Sequence, residues 1–275
     1  MRPYVVEFLN DVFGIEVFVY LVPNGLIMIA IGVIGGTLYA ARCARSRGLD
    51  TDVIYGITLW GIPAAIAGTR LGSLLYAVDI YDGSVVAFFD PIRGDNLGYG
   101  AHIASCAAAF VYLRVRGADV GRYLDCAVQG VGIGIFFGRL GCFLDGDDFG
   151  SVTSALGIHF PPGSLAFLEQ LHAGLIAPMA TQSLAVHPVQ VYLALNGLIL
   201  AAIAWRWSRR EHVAPGEAFW LFWLLYACSR FALEILRGDP SRGFWGDLST
   251  SQAISIGVFL VSTLGFIERR RCRRI

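Results

Sequence analysis

Residues 123–144 read YLDCAVQGVGIGIFFGRLGCFL, an apolar run with a single arginine, Arg139, set near its end. Its length matches the roughly 20 residues that a helix needs to cross a hydrocarbon core. Similar apolar stretches lie at about 25–41, 54–78, 97–113, 188–205, 216–237 and 251–267. The fold class read from this pattern is an all-α integral membrane protein with about seven transmembrane helices. Composition agrees: of 275 residues, 56% are hydrophobic and 15% charged, against about a quarter charged in soluble domains. Residues 1–275 read as a single membrane domain with no room for a second, soluble one.

Charge then orients the spans. All 21 basic residues are arginines, and they collect in every second connection. Arg42, Arg45 and Arg47 follow the first span, Arg114, Arg116 and Arg122 the third, and Arg206, Arg209 and Arg210 the fifth. Arg269, Arg270, Arg271, Arg273 and Arg274 follow the seventh. The opposite loops carry Asp79, Asp82, Asp90, Asp95, Asp145, Asp147 and Asp148. The positive-inside rule therefore predicts an outer amino terminus and a cytoplasmic carboxyl terminus. Residues 1–23 alternate apolar and acidic side chains and are expected along the outer face. Lacking a clean apolar run and an A-x-A site, they do not read as a cleaved signal peptide. Residues 145–187 are expected to form an ordered cap on the outer surface, without a clear helix of their own. The six cysteines stand singly, which suits neither a disulfide framework nor a zinc site.

Polar groups inside such spans need a reason. An arginine at a helix centre costs at least about 2.5–3.5 kcal/mol, yet Arg70, Arg139, Arg230 and Arg237 lie within spans or at their outer ends. Snorkelling or internal pairing would account for any one of them. Four gathered toward one leaflet point instead to a phosphate ligand, which guanidinium forks suit. Glu234, at i+4 from Arg230 and i−3 from Arg237, can brace both. Three further constellations stand out. GRLGCFLDGDDFG (138–150) places Asp145, Asp147 and Asp148 beside Arg139. HPVQVY (187–192) opens a span with His187, Gln190 and Tyr192, His187 being placed to cap it. LGYGAH (97–102) brings Tyr99 and His102 to another. One acidic cluster without partner ligands is weak ground for a metal site, and none is expected.

At these residues the chain resembles the prolipoprotein diacylglyceryl transferase family. Residues 138–150 are similar to its G-R-x-G-N-F-x-N-G-E-x-x-G run, with Cys142 and Asp145 at the asparagine positions and Asp147 at the glutamate. His187-Pro188-Val189-Gln190-Val191-Tyr192 looks like its H-P-S-Q-L-Y segment. Tyr226, Arg230, Glu234 and Arg237 match its Y-x-x-x-R-x-x-x-E-x-x-R helix, and Gly68-Thr69-Arg70-Leu71-Gly72 its G-x-R-x-G. Tyr99-Gly100-Ala101 stands where the family has H-G-G, Leu193 follows the tyrosine that usually precedes a glutamate, and Gln252 opens the last span.

The resemblance implies transfer of a diacylglyceryl group from phosphatidylglycerol to the lipobox cysteine of a preprolipoprotein, with glycerol 1-phosphate leaving. It implies a multi-pass protein of the bacterial inner membrane whose partners are membrane lipid and a preprolipoprotein signal peptide, not nucleic acid, and which needs no cofactor. Arg139 and Arg230 would stabilise charge on the departing phosphate, and Tyr99 or His102 would accept the thiol proton. Arg70, Asp147, Gly150, His187, Gln190, Tyr192, Tyr226, Glu234, Arg237 and Gln252 would bind substrate, with Glu234 and Asp147 orienting arginines. Two other readings keep part of this: the same donor lipid with another acceptor, or a non-catalytic relative that binds or moves phospholipid.

Overall fold

The computed structural model describes residues 24–73, 98–239 and 243–272. The expected outer-face segment 1–23 lies outside them. The described chain is mostly helical: α1 (Asn24–Ser46), α2 (Thr51–Ser73), α3 (Gly98–Val115), α4 (Val120–Asp145), α5 (Leu165–His172), α6 (Val189–Trp207), α7 (Glu217–Glu234) and α8 (Thr250–Cys272). A two-residue hairpin, β1 (Phe244–Trp245) against β2 (Leu248–Ser249), leads into α8. Seven of these helices are long, one for each apolar stretch. Four of them, α1, α4, α6 and α8, are long and apolar enough to cross a membrane. The apolar side chains that face outward fit such surroundings, Leu59 being 70% exposed and Leu264 69%.

Helix ends follow local chemistry. Asp119 caps α4 by accepting the Arg122 N–H at 3.1 Å. Gly146 closes that helix in the left-handed region, φ 75°, its N–H on the Cys142 carbonyl at 2.8 Å, as C-terminal glycines do. The first turn of α1 is served from a distance, because the Asp145 carboxylate accepts the Gly25 N–H at 2.9 Å; a negative group there suits the helix dipole. At the start of α8, Ser249 and Gln252 exchange side-chain-to-backbone hydrogen bonds of 3.2 and 3.0 Å, a capping box. His187 does not cap α6. Pro188 takes the cap position without a side-chain bond, and the His187 backbone pairs with Gly150 and Ser151 instead.

α4 is the central helix, packed between α1 and α6 and touching α7; α2 pairs with α3 and α7 with α8. Glycines make these contacts close, as small residues do between membrane helices. A methyl group on Gly130 would strike the Gly36 carbonyl of α1, and one on Gly132 would stand 2.5 Å from the Gly197 carbonyl of α6. Gly68 of α2 and Gly100 of α3 oppose each other in the same way.

The bundle has two chemically distinct ends. At one, Arg47 donates to Ser208 at 2.6 Å, Arg122 to the Arg47 carbonyl at 2.9 Å, and Asp125 accepts the Gly216 and Phe219 N–H groups at 2.8 Å each. At the other, residues 145–187 form an ordered piece around buried Phe149, Phe160, Ala166 and Val186. This segment does contain a helix, contrary to expectation: α5, only eight residues long, capped by Ser164 after the Pro161-Pro162-Gly163 turn. Apolar enough but only two turns long, it falls far short of the length that marks the other helices in the sequence.

Gly130→Val should force α1 away from α4 and destabilise the fold by about 1–3 kcal/mol, the usual range for overpacking. A fall in thermal midpoint in detergent would register it, whereas Gly61→Val, with nothing within 4 Å of the added carbon, should leave the midpoint near wild type.

Candidate active site

The site forms where the end of α4, the end of α7, the start of α6 and the segment 147–151 meet. Residues 149–151 are held on both sides by backbone bonds. Gly238 N–H donates to the Phe149 carbonyl at 3.1 Å and Ser151 N–H to that of Leu236 at 2.8 Å. Gly150 N–H reaches the His187 carbonyl at 3.0 Å, and His187 N–H that of Ser151 at 3.1 Å. A side chain on Gly150 would strike the His187 carbonyl, so glycine is what lets the three segments close.

This junction brings three arginines into one ion-pair network. Arg230, on α7, pairs with Glu234 one turn later and donates to Ser251 of α8 at 3.1 Å. Arg237 is gripped by Asp239 at 2.8 and 2.6 Å, and its Nη1 stands 3.9 Å from Glu234. Glu234 thus lies between the two guanidiniums, as the i, i+4, i+7 spacing predicts. Asp148 joins the network to α4, one carboxylate oxygen meeting Arg139 and the other reaching Arg237 at 2.5 Å. Arg230, Glu234, Arg237 and Asp239 are all buried.

The arginine-holding acid of the 145–148 cluster is therefore Asp148 rather than Asp147. Asp148 has φ 51°, and that left-handed residue turns its side chain to the arginines. The Asp147 side chain goes toward Cys142, while its backbone carbonyl accepts Gln190 Nε2 at 2.5 Å. Among the described residues, Asp147 Oδ1, Gln190 Oε1 and His187 Nδ1 are buried without a hydrogen-bond partner. Native structures seldom leave such atoms unserved, so they are ready to meet a polar ligand. The His187 and Tyr192 rings are 6.3 Å apart.

An aromatic wall adjoins the arginines. Tyr99, from α3, bonds to Ser255 of α8 at 2.6 Å and sets its ring edge-on to Tyr226 at 6.1 Å. His102 lies 5.6 Å from Trp223 and 6.1 Å from Tyr226. Tyr99 is within electrostatic reach of Arg230 and Glu234, and Tyr226 of Arg139, which makes wall and network one region. Arg70 is buried in α2, two residues from the Gly68–Gly100 crossing. Gln252 has a local employment in the capping box.

The two adjacent acids titrate in opposite directions. Burial, with the Asp148 charge beside it, pushes Asp147 up to about 6. Burial would raise Asp148 too, but Arg139 and then Arg237 outweigh it and hold the carboxyl at about 2. A raised carboxyl stabilises the fold below its ordinary range, near pH 4, and that contribution disappears as pH rises through about 6. A lowered one contributes above about pH 4 and is lost as pH falls toward 2. Melting curves taken across pH should accordingly lose their pH 4–6 slope in Asp147→Asn, whereas Asp148→Asn should flatten the acid limb and also weaken the pH 4–6 slope, since its charge helps raise Asp147. Glu234→Gln should destabilise by about 3–5 kcal/mol, since it leaves buried Arg230 uncompensated; adding Arg230→Gln should recover part of the loss, as a double-mutant cycle would read.

Comparison with known proteins gives the chain a family. A family model described as prolipoprotein diacylglyceryl transferase matches residues 17–268. A Clostridium tetani protein named phosphatidylglycerol–prolipoprotein diacylglyceryl transferase is 30% identical over 268 residues, covering 96% of this chain and 98% of its own length. Proteins of the same name from Deinococcus radiodurans, 29% identical with 90% and 82% covered, and Clostridium perfringens, 28% identical with 92% and 91% covered, are also similar. The chain belongs to the prolipoprotein diacylglyceryl transferase family.

Proposed function

We propose that the chain transfers the diacylglyceryl group of phosphatidylglycerol to the lipobox cysteine thiol of a preprolipoprotein. The observation that carries this reading is the meeting of Arg139, Arg230 and Arg237 at one junction, beside polar atoms of Asp147, His187 and Gln190 that have no partner among the described residues. The names of its relatives supply the substrates. The chain is a single domain of seven spans in the bacterial inner membrane, its amino terminus and the 145–187 cap outside, its carboxyl terminus cytoplasmic. Alternating arginine loops and the seven long helices support that orientation.

In the reaction the cysteine sulfur attacks the carbon of the diacylglycerol moiety that bears the phosphate. A C–S bond forms, the C–O bond breaks, and the electron pair leaves on glycerol 1-phosphate. Charge grows on the phosphate, so Arg139 and Arg230 act as preorganised donors, Glu234 holding Arg230 throughout and Asp148 holding Arg139 in the empty site. Arg70 and Arg237 add to the positive field, and Gln252 helps fix the start of α8 beside Arg230. His187, Gln190, Tyr192 and Asp147 would hold the head-group glycerol over the Gly150 turn. The thiol must lose its proton to become the nucleophile. Between Tyr99 and His102, His102 is the better acceptor, because an imidazole nitrogen is a stronger base than a phenol hydroxyl and the Tyr99 hydroxyl is engaged with Ser255. Tyr226 packs against both.

Purified protein given phosphatidylglycerol and a fluorescent lipobox peptide should add a diacylglyceryl-sized mass to the peptide as glycerol phosphate is released. Arg139→Ala and Arg230→Ala should each reduce kcat by about 100-fold or more, the scale set by loss of one charge-stabilising donor. Glycerol phosphate released over an unmodified peptide would assign another acceptor, and lipid bound without turnover would assign a binding role.

A further inference from the structure

The Asp148 carboxylate occupies a distinctive position. Its two oxygens are shared between Arg139 and Arg237, guanidiniums from the ends of two different helices. Two oxygens of one anion spanning two guanidiniums is also how the non-bridging oxygens of a phosphodiester would be met. Resting on the transferase reading above, we propose that Asp148 is a displaceable stand-in for the substrate phosphate, holding Arg139 and Arg237 in position while the site is empty and swinging aside when the lipid head group enters.

Three features support an exchange of this kind. The carboxylate is the most accessible member of the network: its side chain is 28% exposed, against 8% for Arg237 and 1% for Glu234. The backbone around it is anchored, by Gln190 on the Asp147 carbonyl and Gly238 on that of Phe149, so rotation of one side chain suffices and the loop need not move. The arginines are also unequally committed. Arg237 keeps Asp239 and Glu234 when Asp148 leaves, whereas Arg139 keeps only the Cys142 sulfur, 3.9 Å away, among the described residues. Arg139 is thereby freed to face the incoming phosphate, and Arg237 remains as the anchor.

The exchange also matches charge. A carboxylate and a phosphodiester each carry one negative charge near neutral pH, so substitution leaves the local balance unchanged. Asp148 stays ionised throughout that range, its carboxyl being held at about 2. The product phosphomonoester carries a second negative charge, which the arginines hold more firmly, so release needs a competing anion. Return of Asp148 to the arginines then assists release.

The test uses full-length protein in detergent, without acceptor peptide, titrated with dioctanoyl phosphatidylglycerol. Asp148→Asn is the informative variant, because asparagine tolerates the left-handed backbone at this position; Asp148→Gly, which removes the backbone strain as well, is the second. Both should bind the lipid about threefold to tenfold more tightly than wild type, the range expected when one partly exposed carboxylate no longer competes for the guanidiniums. In the Arg139→Gln background the gain should vanish. Turnover with peptide, measured separately, should show KM for phosphatidylglycerol falling while kcat falls as well, because the arginines have lost their placeholder and product leaves more slowly. Binding by Asp148→Asn or Asp148→Gly that is unchanged or weaker, in protein with a single cooperative melt, overturns the proposal. Tighter binding with no peptide modification in wild type would uphold Asp148 as a stand-in for lipid phosphate and overturn the transfer reading alone.

Discussion

Three guanidiniums brought together away from water must be neutralised, or the helices carrying them will not stay packed. Breaking one such buried pair costs about 3–5 kcal/mol, a large share of the roughly 5–15 kcal/mol by which a domain is stable. Much of the local architecture follows from that requirement. The chain leaves α4 through Gly146 at φ 75°, takes a second left-handed step at Asp148, and so delivers a carboxylate to Arg139 and Arg237 together. The next residues must then run between the ends of α7 and the start of α6, where only a glycine at position 150 fits. Arginine pairing, the turn and the seating of the cap are one problem with one solution.

Glycines make that solution compatible with a tight bundle. With Gly130 against Gly36 and Gly132 against Gly197, α4 approaches α1 and α6 nearly backbone to backbone, and Arg139 two turns later is carried to a fixed place. The opposite end of the bundle uses carboxylates for a different purpose. Asp125 satisfies the first N–H groups of α7, and buried Glu217 accepts from Trp207 and Ala214 at 3.1 and 3.2 Å. Those acids hold helix-start N–H groups and an indole, with Arg270 3.6 Å from Glu217, whereas Asp148, Glu234 and Asp239 at the site serve guanidiniums. Only the second kind can be exchanged for another anion without unravelling a helix start.

Hydropathy located every long helix because outward-facing and core-facing residues are both apolar here, which leaves little for tertiary context to override. It misjudged ends where arginines continue a helix past its apolar part, as Arg42 and Arg45 do in α1. The pairing of Arg230, Glu234 and Arg237 was legible because helical spacing alone puts them on one face. The choice of Asp148 over Asp147 was not. It depends on one left-handed residue beyond a helix end, and adjacent acids look alike in a sequence. Asp239 escaped notice for a similar reason, lying past the last turn of α7 where spacing no longer predicts direction. Gln252 was readable in another sense: Ser249-x-x-Gln252 is a capping-box pattern, which gives that glutamine a structural occupation before any ligand is considered.

The three arginines differ in how firmly they are held, and that difference bears on how labour is divided. Arg237 has three carboxylates around it, Glu234 of α7, Asp239 just beyond that helix and Asp148 of the 145–187 segment, and Arg230 has a carboxylate from α7 and a hydroxyl from α8. Arg139 depends on Asp148, which is itself partly exposed. A guanidinium that keeps buried carboxylates, as Arg230 keeps Glu234 and Arg237 keeps Glu234 and Asp239, contributes a fixed field, since moving it would strand those charges. One whose partner can retreat to water can change ligands at small cost. A site that must bind one anion, strengthen its grip as charge accumulates on that anion, and then let it go needs both kinds. Fixed groups supply the stabilisation, and the exchangeable one keeps it from becoming a trap.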